Sequence, residues 1–168
     1  HTRRQVIDAI YPAQQRPELG NVARVASGKG HAPVQTVAVA GAEVIVNING
    51  SPFQRSKRAF RERMVATRAS DNGVIVCYVN LCGGQDELVF DGSSMIFDQD
   101  GELLARAPAF AEHLLVCDLN LESIYLSRLH SPLRRALEPP PHPPVDQVFI
   151  SPAPTTVARP PIAAAIAP

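Results

Sequence analysis

Ser51 and Lys57, six residues apart in the run EVIVNINGSPFQRSK (Glu43–Lys57), are the side chains best placed to hold a polar substrate. The chemistry they offer is binding. A hydroxyl exchanges hydrogen bonds with a small polar group, and an ammonium supplies a point charge for a carboxylate. The apolar residues before them, Val44, Ile45 and Val46, suit a buried strand. Asn49-Gly50 supplies the turn that ends it. Ser51-Pro52 then reads as a helix start, since serine caps an orphan N–H and proline tolerates the first helical position. A strand feeding a helix N-terminus gathers donors and positive potential at one point. On that reading Lys57 lies less than two turns into the helix. The role of plain helix cap uses the same Ser51 hydroxyl and stands equally beside substrate binding.

Nucleophiles are harder to find. Cys77 and Cys117 sit inside apolar runs and read as buried structural thiols, because reactivity needs an electropositive, accessible setting. Cys82, beside Gly83-Gly84, is the accessible one, yet neither a histidine nor a helix N-terminus is arranged to activate it. No catalytic residue is therefore assigned. The five histidines lack metal-ligand spacing, and no metal site is expected. Gly28-Lys29-Gly30 lacks the remaining glycines and the Lys-Ser/Thr ending of a phosphate loop, so a flexible connector is the better account.

The elements that must position these residues follow from periodicity. Pro33–Ala42 (PVQTVAVAGA) reads as a helix end closing at Gly41. Gln54–Asp71 reads as a helix whose apolar face holds Phe60 and Met64. Its Arg55, Lys57, Arg58, Arg61, Arg63 and Arg68 form a basic stripe, taken as a solvated face that pairs with acidic neighbours. Asn72-Gly73 ends the helix, and Val74–Asn80 (VIVCYVN) is a second buried strand. Leu81–Asp86 reads as a turn on two glycines, and Leu88–Phe90 as a brief apolar piece before the Asp91-Gly92 turn. Met95–Phe97 and Glu102–Arg106 form a hairpin around Asp98–Gly101, and His113–Leu119 is a further strand. Leu121–Leu137 has helical fragments broken by Pro132. Short strands with one long helix indicate an α+β architecture with layered packing.

At 168 residues the chain has room for one sizeable core. The formal net charge is zero, so no global field draws it to nucleic acid or an anionic membrane. No apolar run is long enough to span a bilayer. Three unevenly spaced cysteines suit reduced thiols and a cytoplasmic protein. Residues 1–32 show no clear pattern, 33–130 form the candidate domain, and 131–168 read as a proline-rich linker or tail. Ten of the 16 prolines lie between Pro139 and Pro168, which predicts disorder from Glu138 onward. The chain opens on His1 rather than methionine, as a fragment would.

Three segments carry a family resemblance: AGAEVIVNINGSPF, the run from Arg68 to Phe110 with its GGQDELVFDG core, and HLLVCDLNLESIYLSRLH. Together, over about residues 38–130, they resemble the second half of the glutamine-hydrolysing domain of glutamine-dependent NAD synthetases, a branch of the nitrilase or carbon-nitrogen hydrolase superfamily. The resemblance implies a partial αββα sandwich. It implies a Glu-Lys-Cys set in which a cysteine thiolate attacks the glutamine carboxamide, glutamate acts as base and lysine stabilises the tetrahedral intermediate. It also implies that Ser51 and Lys57 bind glutamine, with Ser56 standing where the family usually has glycine. The family's cysteine belongs to an ICED-type strand end upstream of the helix leading to Ala40, and no cysteine precedes Cys77. The fragment is thus expected to be inactive alone. The N-terminal half and the synthetase domain, with its ATP and Mg, are expected partners outside this chain, in a full-length homo-oligomer. No cofactor is expected within the chain itself. A non-catalytic oligomerising module of nitrilase type and another amidase of the superfamily are the alternatives.

Overall fold

The computed structural model describes residues 34–39, 41–130, 160–162 and 165–168. The expectations for residues 1–33 and 131–159 lie outside the described residues; of the tail expected to be disordered from Glu138, residues 160–162 and 165–168 are described, and Ala165 and Ala167 hydrogen-bond to Arg106. Helix α1 (Val34–Val39) leads to strand β1 (Val44–Asn49), and helix α2 (Lys57–Asn72) crosses over to β2 (Ile75–Asn80). A hairpin of β3 (Cys82–Gln85) and β4 (Leu88–Asp91) follows, then β5 (Met95–Phe97), β6 (Leu103–Arg106) and helix α3 (Leu121–His130). The architecture is mixed α+β, as the pattern of short strands and one long helix predicts.

The main sheet has the order β1-β2-β5-β6. β1 and β2 are parallel, from Val44 opposite Ile75 to Asn49 opposite Asn80. β5 and β6 run antiparallel to their neighbours. Because successive strand residues face opposite ways, β2 feeds two cores. Val76 and Tyr78 pack with Val37, Ile45, Val65, Ala69 and Phe97 under α1 and α2. Ile75 and Cys77 pack with Ile96, Ala105, Cys117, Leu119 and Ile124 on the other side, beneath α3. The layers are helix, sheet, helix, with α1 and α2 on one face of the main sheet and α3 on the other.

Both leading helices close alike. Gly41 and Ala42 donate to the carbonyls of Ala38 and Val37, and Gly73 and Val74 to those of Ser70 and Ala69. These crossed bonds satisfy carbonyls that a helix end leaves orphaned. The Asp98–Gly101 turn forms as expected, its Gly101 N–H donating to the Asp98 carbonyl.

Four expectations are corrected. α2 begins at Lys57, not at Ser51-Pro52 or Gln54. Gly50–Gln54 forms neither helix nor strand, and the Phe53 N–H donates to the Val89 carbonyl at 2.7 Å, which ties the segment to β4. The buried face of α2 is Arg61, Val65 and Ala69, while Phe60 is 57% and Met64 41% exposed. The face is turned by one residue because Arg61 is charge-paired and therefore tolerated inside. Cys82–Gln85 is a strand rather than a turn, its glycines pairing with Val89 and Phe90. His113–Asp118 forms no strand. Its Leu115 and Cys117, followed by the isolated bridge residue Leu119, cover one sheet face with side chains.

Candidate functional site

The site lies at the carboxyl ends of the parallel pair, where β1 and β2 stop together at Asn49 and Asn80. Ligands favour this end of parallel sheets because crossover helices present their N-termini there. Ser51 is two residues beyond the end of β1 and half-buried. Lys57, partly buried, is the first residue of α2, its N–H donating to the Gln54 carbonyl at 2.9 Å. Ser56 holds the cap position and makes no side-chain cap bond. The Ser51 hydroxyl is thus not a helix cap, and Lys57 sits at the mouth of the helix rather than in its second turn.

Asn80 fixes the Ser51 backbone. Its Oδ1 accepts from the Ser51 N–H at 2.9 Å, and its Nδ2 donates to the Ser51 carbonyl at 3.3 Å. The same Nδ2 donates to the Gly92 carbonyl at 3.1 Å and approaches the Asp91 carboxylate at 3.5 Å. The Asn80 N–H donates in turn to Ser94 Oγ at 3.1 Å. One side-chain amide thereby joins the ends of β1, β2 and β4. A buried amide with its acceptor and donor both satisfied rigidifies whatever it connects.

Asp91 carries the network to α2. Its carboxylate pairs with the Arg61 guanidinium, the two side chains being 1% and 3% exposed. Burial disfavours the Arg61 charge, and the interactions with Asp91 and then Tyr78 more than offset it, so its pKa rises above the ordinary arginine value. Arg61 Nε and Nη1 have no hydrogen-bond partner. The backbone after Asp91 is tightly wound, with Gly92 at φ 62° and the buried Ser93 at φ 51°. A non-glycine residue in that region is uncommon and persists only where its surroundings hold it. A Cβ on Gly92 would meet the Cys82 Cβ at 3.3 Å, so the loop and β3 lie in close contact. Phe53 closes one side of the segment against Phe110, edge to face, with centroids 5.0 Å apart.

No nucleophile joins this set. Burial, with a smaller contribution from Cys117, pushes the Cys77 thiol up to about 12. Burial and then Asp118 raise that of Cys117. Both are poor thiolate sources. Cys82 is half-buried. Among the described residues no cluster of His, Cys, Asp and Glu is suited to a metal ion.

Sequence reasoning missed Asn80, Arg61 and Asp91. Asp91 was read only as a turn signal, and Arg61 as one charge on a solvated stripe. The available signal was the i, i+4, i+8 spacing of Arg61, Val65 and Ala69, which places the arginine on an apolar face. Asn80 was legible as an amide closing a run of buried apolar residues, a place where polar groups require partners.

Fold and sequence together define the class: the chain belongs to the carbon-nitrogen hydrolase family, whose profile matches residues 30–128. It is a family of enzymes. Within it, the chain is similar to the glutamine-dependent NAD(+) synthetase of Aquifex aeolicus, 50% identical over 92 residues. That match covers 55% of this chain and 16% of the relative. The corresponding synthetase of Thermotoga maritima is 37% identical over 98 residues, 58% of this chain and 17% of the relative. Among solved structures, a carbon-nitrogen hydrolase from Helicobacter pylori G27 superposes with a TM-score of 0.50 at 26% identity, covering 58% of this chain and 39% of that one. The chain spans about one sixth of the length of these synthetases.

Proposed function

We propose that this chain supplies the glutamine-holding part of a glutaminase domain that delivers ammonia for the ATP-dependent amidation of deamido-NAD. The observation that carries this reading is the Asn80 clamp. It holds the Ser51 backbone at the carboxyl ends of β1 and β2, beside the opening of α2 where Lys57 stands. Ser51 faces the amino-acid end of glutamine with a hydroxyl, and Lys57 holds its carboxylate by charge. The thiolate, base and oxyanion lysine come from the N-terminal half of the domain. No ATP or Mg step is assigned to this chain. Those ligands belong to the synthetase domain of the full-length protein, a cytoplasmic homo-oligomer. No helix among the described residues is long and apolar enough to cross a membrane.

The test is ammonia release from glutamine, with the chain alone and with the N-terminal half of a related synthetase supplied in trans. Alone, the chain releases no more ammonia than a heat-treated control, since losing a covalent catalyst costs orders of magnitude. Complemented, it turns over, and Lys57→Ala raises KM by ~10-fold or more with kcat little changed, because the carboxylate is held equally in ground and transition states. Turnover by the chain alone, or a Lys57→Ala variant with unchanged KM, sinks the reading.

A further inference from the structure

The outer edge of β6 carries a short segment from the far end of the chain. The Arg106 N–H donates to the Ala165 carbonyl and the Ala167 N–H donates to the Arg106 carbonyl, both at 3.0 Å, a parallel bridge centred on Ile166. Arg106 Nε donates to the Ala167 carbonyl at 2.7 Å, and its Nη1 pairs with Glu62 of α2 at 3.1 Å. Arg58, one turn before Glu62, donates to the Pro168 carbonyl at 3.2 Å. The Ile162 N–H donates to Asp118 at 2.9 Å. Little apolar surface is buried in return, since Ala165 and Ile166 are exposed. The attachment is thus read through main-chain groups, as a strand is read when it adds to a sheet edge.

We infer that the β6 edge, with Arg106 and the Arg58–Glu62 face of α2, is a binding site for an extended peptide, and that residues 165–168 of this chain are its resident occupant. This site is separate from the proposed glutamine site and does not depend on it. Arg106 supplies the centre of the recognition: a main-chain donor, a main-chain acceptor, and a guanidinium that Glu62 aims at the next peptide carbonyl. Tethering raises the effective concentration of the resident segment to the millimolar range, so it excludes a free peptide of the same sequence. Releasing it opens the edge.

The test uses the full chain and two proline variants. Ala167→Pro deletes the N–H that donates to Arg106. Ile166→Pro deletes an N–H that points away from β6, because successive strand amides alternate in direction. Amide hydrogen exchange is read at Arg106, with Val76 and Cys77 of β2 reporting that the core is folded. The Arg106 amide should be protected in the full chain and in Ile166→Pro, and should exchange at least tenfold faster in Ala167→Pro with β2 unchanged. A synthetic peptide of residues 160–168 should bind the Ala167→Pro chain at least tenfold more tightly than the full chain. The same peptide carrying Ala167→Pro should bind neither. Equal peptide binding to both chains, or an Arg106 amide that exchanges as fast as an unbonded exposed amide, overturns the proposal. Equal effects of the two proline variants overturn it as well.

Discussion

The Arg61–Asp91 pair shows how much a single buried contact determines at the residue scale. Both side chains lie out of water, and each is tolerated inside only because the other is there. Arg61→Met removes the charged partner and leaves a buried carboxylate with only the 3.5 Å approach of Asn80 Nδ2. It should lower stability by ~3–5 kcal/mol in urea unfolding. Adding Asp91→Asn to Arg61→Met removes the stranded charge and should recover ~1 kcal/mol or more. Additive losses in the double variant would show that the two groups do not act as a pair. A second residue-scale consequence concerns pH. The folded Cys77 thiol titrates near 12, well above its ordinary value of 9.0, because burial favours the neutral form. Its contribution to stability is therefore complete below pH ~9 and falls as pH rises toward 12. Cys77→Ala should flatten the loss of unfolding midpoint between pH 8 and 10.5 relative to the unsubstituted chain. Identical slopes would mean that Cys77 ionises as freely in the folded chain as in the unfolded one.

At the element scale, the β5–β6 hairpin is positioned by contact of its turn with α2. Gly101 has φ 85°, and a Cβ there would sit 2.8 Å from the Ala66 carbonyl oxygen, inside the helix backbone. Both the conformation and the space exclude a side chain. Gly101→Ala should cost ~1–3 kcal/mol, seen as a lower denaturant midpoint, because either the hairpin or α2 must move. A substitution of similar size at exposed Asp100 should cost little. An unchanged midpoint in Gly101→Ala would show that the hairpin and α2 are not in register as described. The same packing explains why Phe60 and Met64 stay outside: the inner face of α2 is already committed to Arg61, Val65 and Ala69.

At the scale of the whole molecule, β1 closes one side of the main sheet, and no strand among the described residues pairs with its outer edge. It is an apolar edge, and Ile48 is 70% exposed. Edges of this kind pair with other chains. The isolated chain should therefore associate as concentration rises, measured by light scattering after size-exclusion chromatography. Ile48→Lys, which places a charge beside that edge, should reduce the association without lowering the unfolding midpoint. A sharp monomer at every concentration would count against an edge left open for another strand. The opposite edge differs in kind, because the end of this same chain lies on Arg106.

Local patterns already contained much of this protein. Contiguous apolar runs rich in β-branched residues named β1 and β2, Gly73 named the end of α2, and Asp98–Gly101 named its hairpin, because each depends on backbone preferences within a few residues. The GGQDELVFDG run carried the family for a similar reason: it is contiguous. Ser51 and Lys57 were visible as a motif, whereas their setting was not. The helix starts at Lys57 because Phe53 bonds to Val89, 36 positions away, and that bond outweighs the local preference of Ser-Pro to open a helix. Asn80 became a clamp only when β1 and β4 brought Ser51 and Gly92 to its amide. Arg61 was fitted for the interior chiefly by Asp91, 30 residues on, with Tyr78 beside it. Hydrophobic periodicity is a property of neighbours in sequence, but satisfying a buried charge or amide requires partners that only the closed tertiary structure supplies.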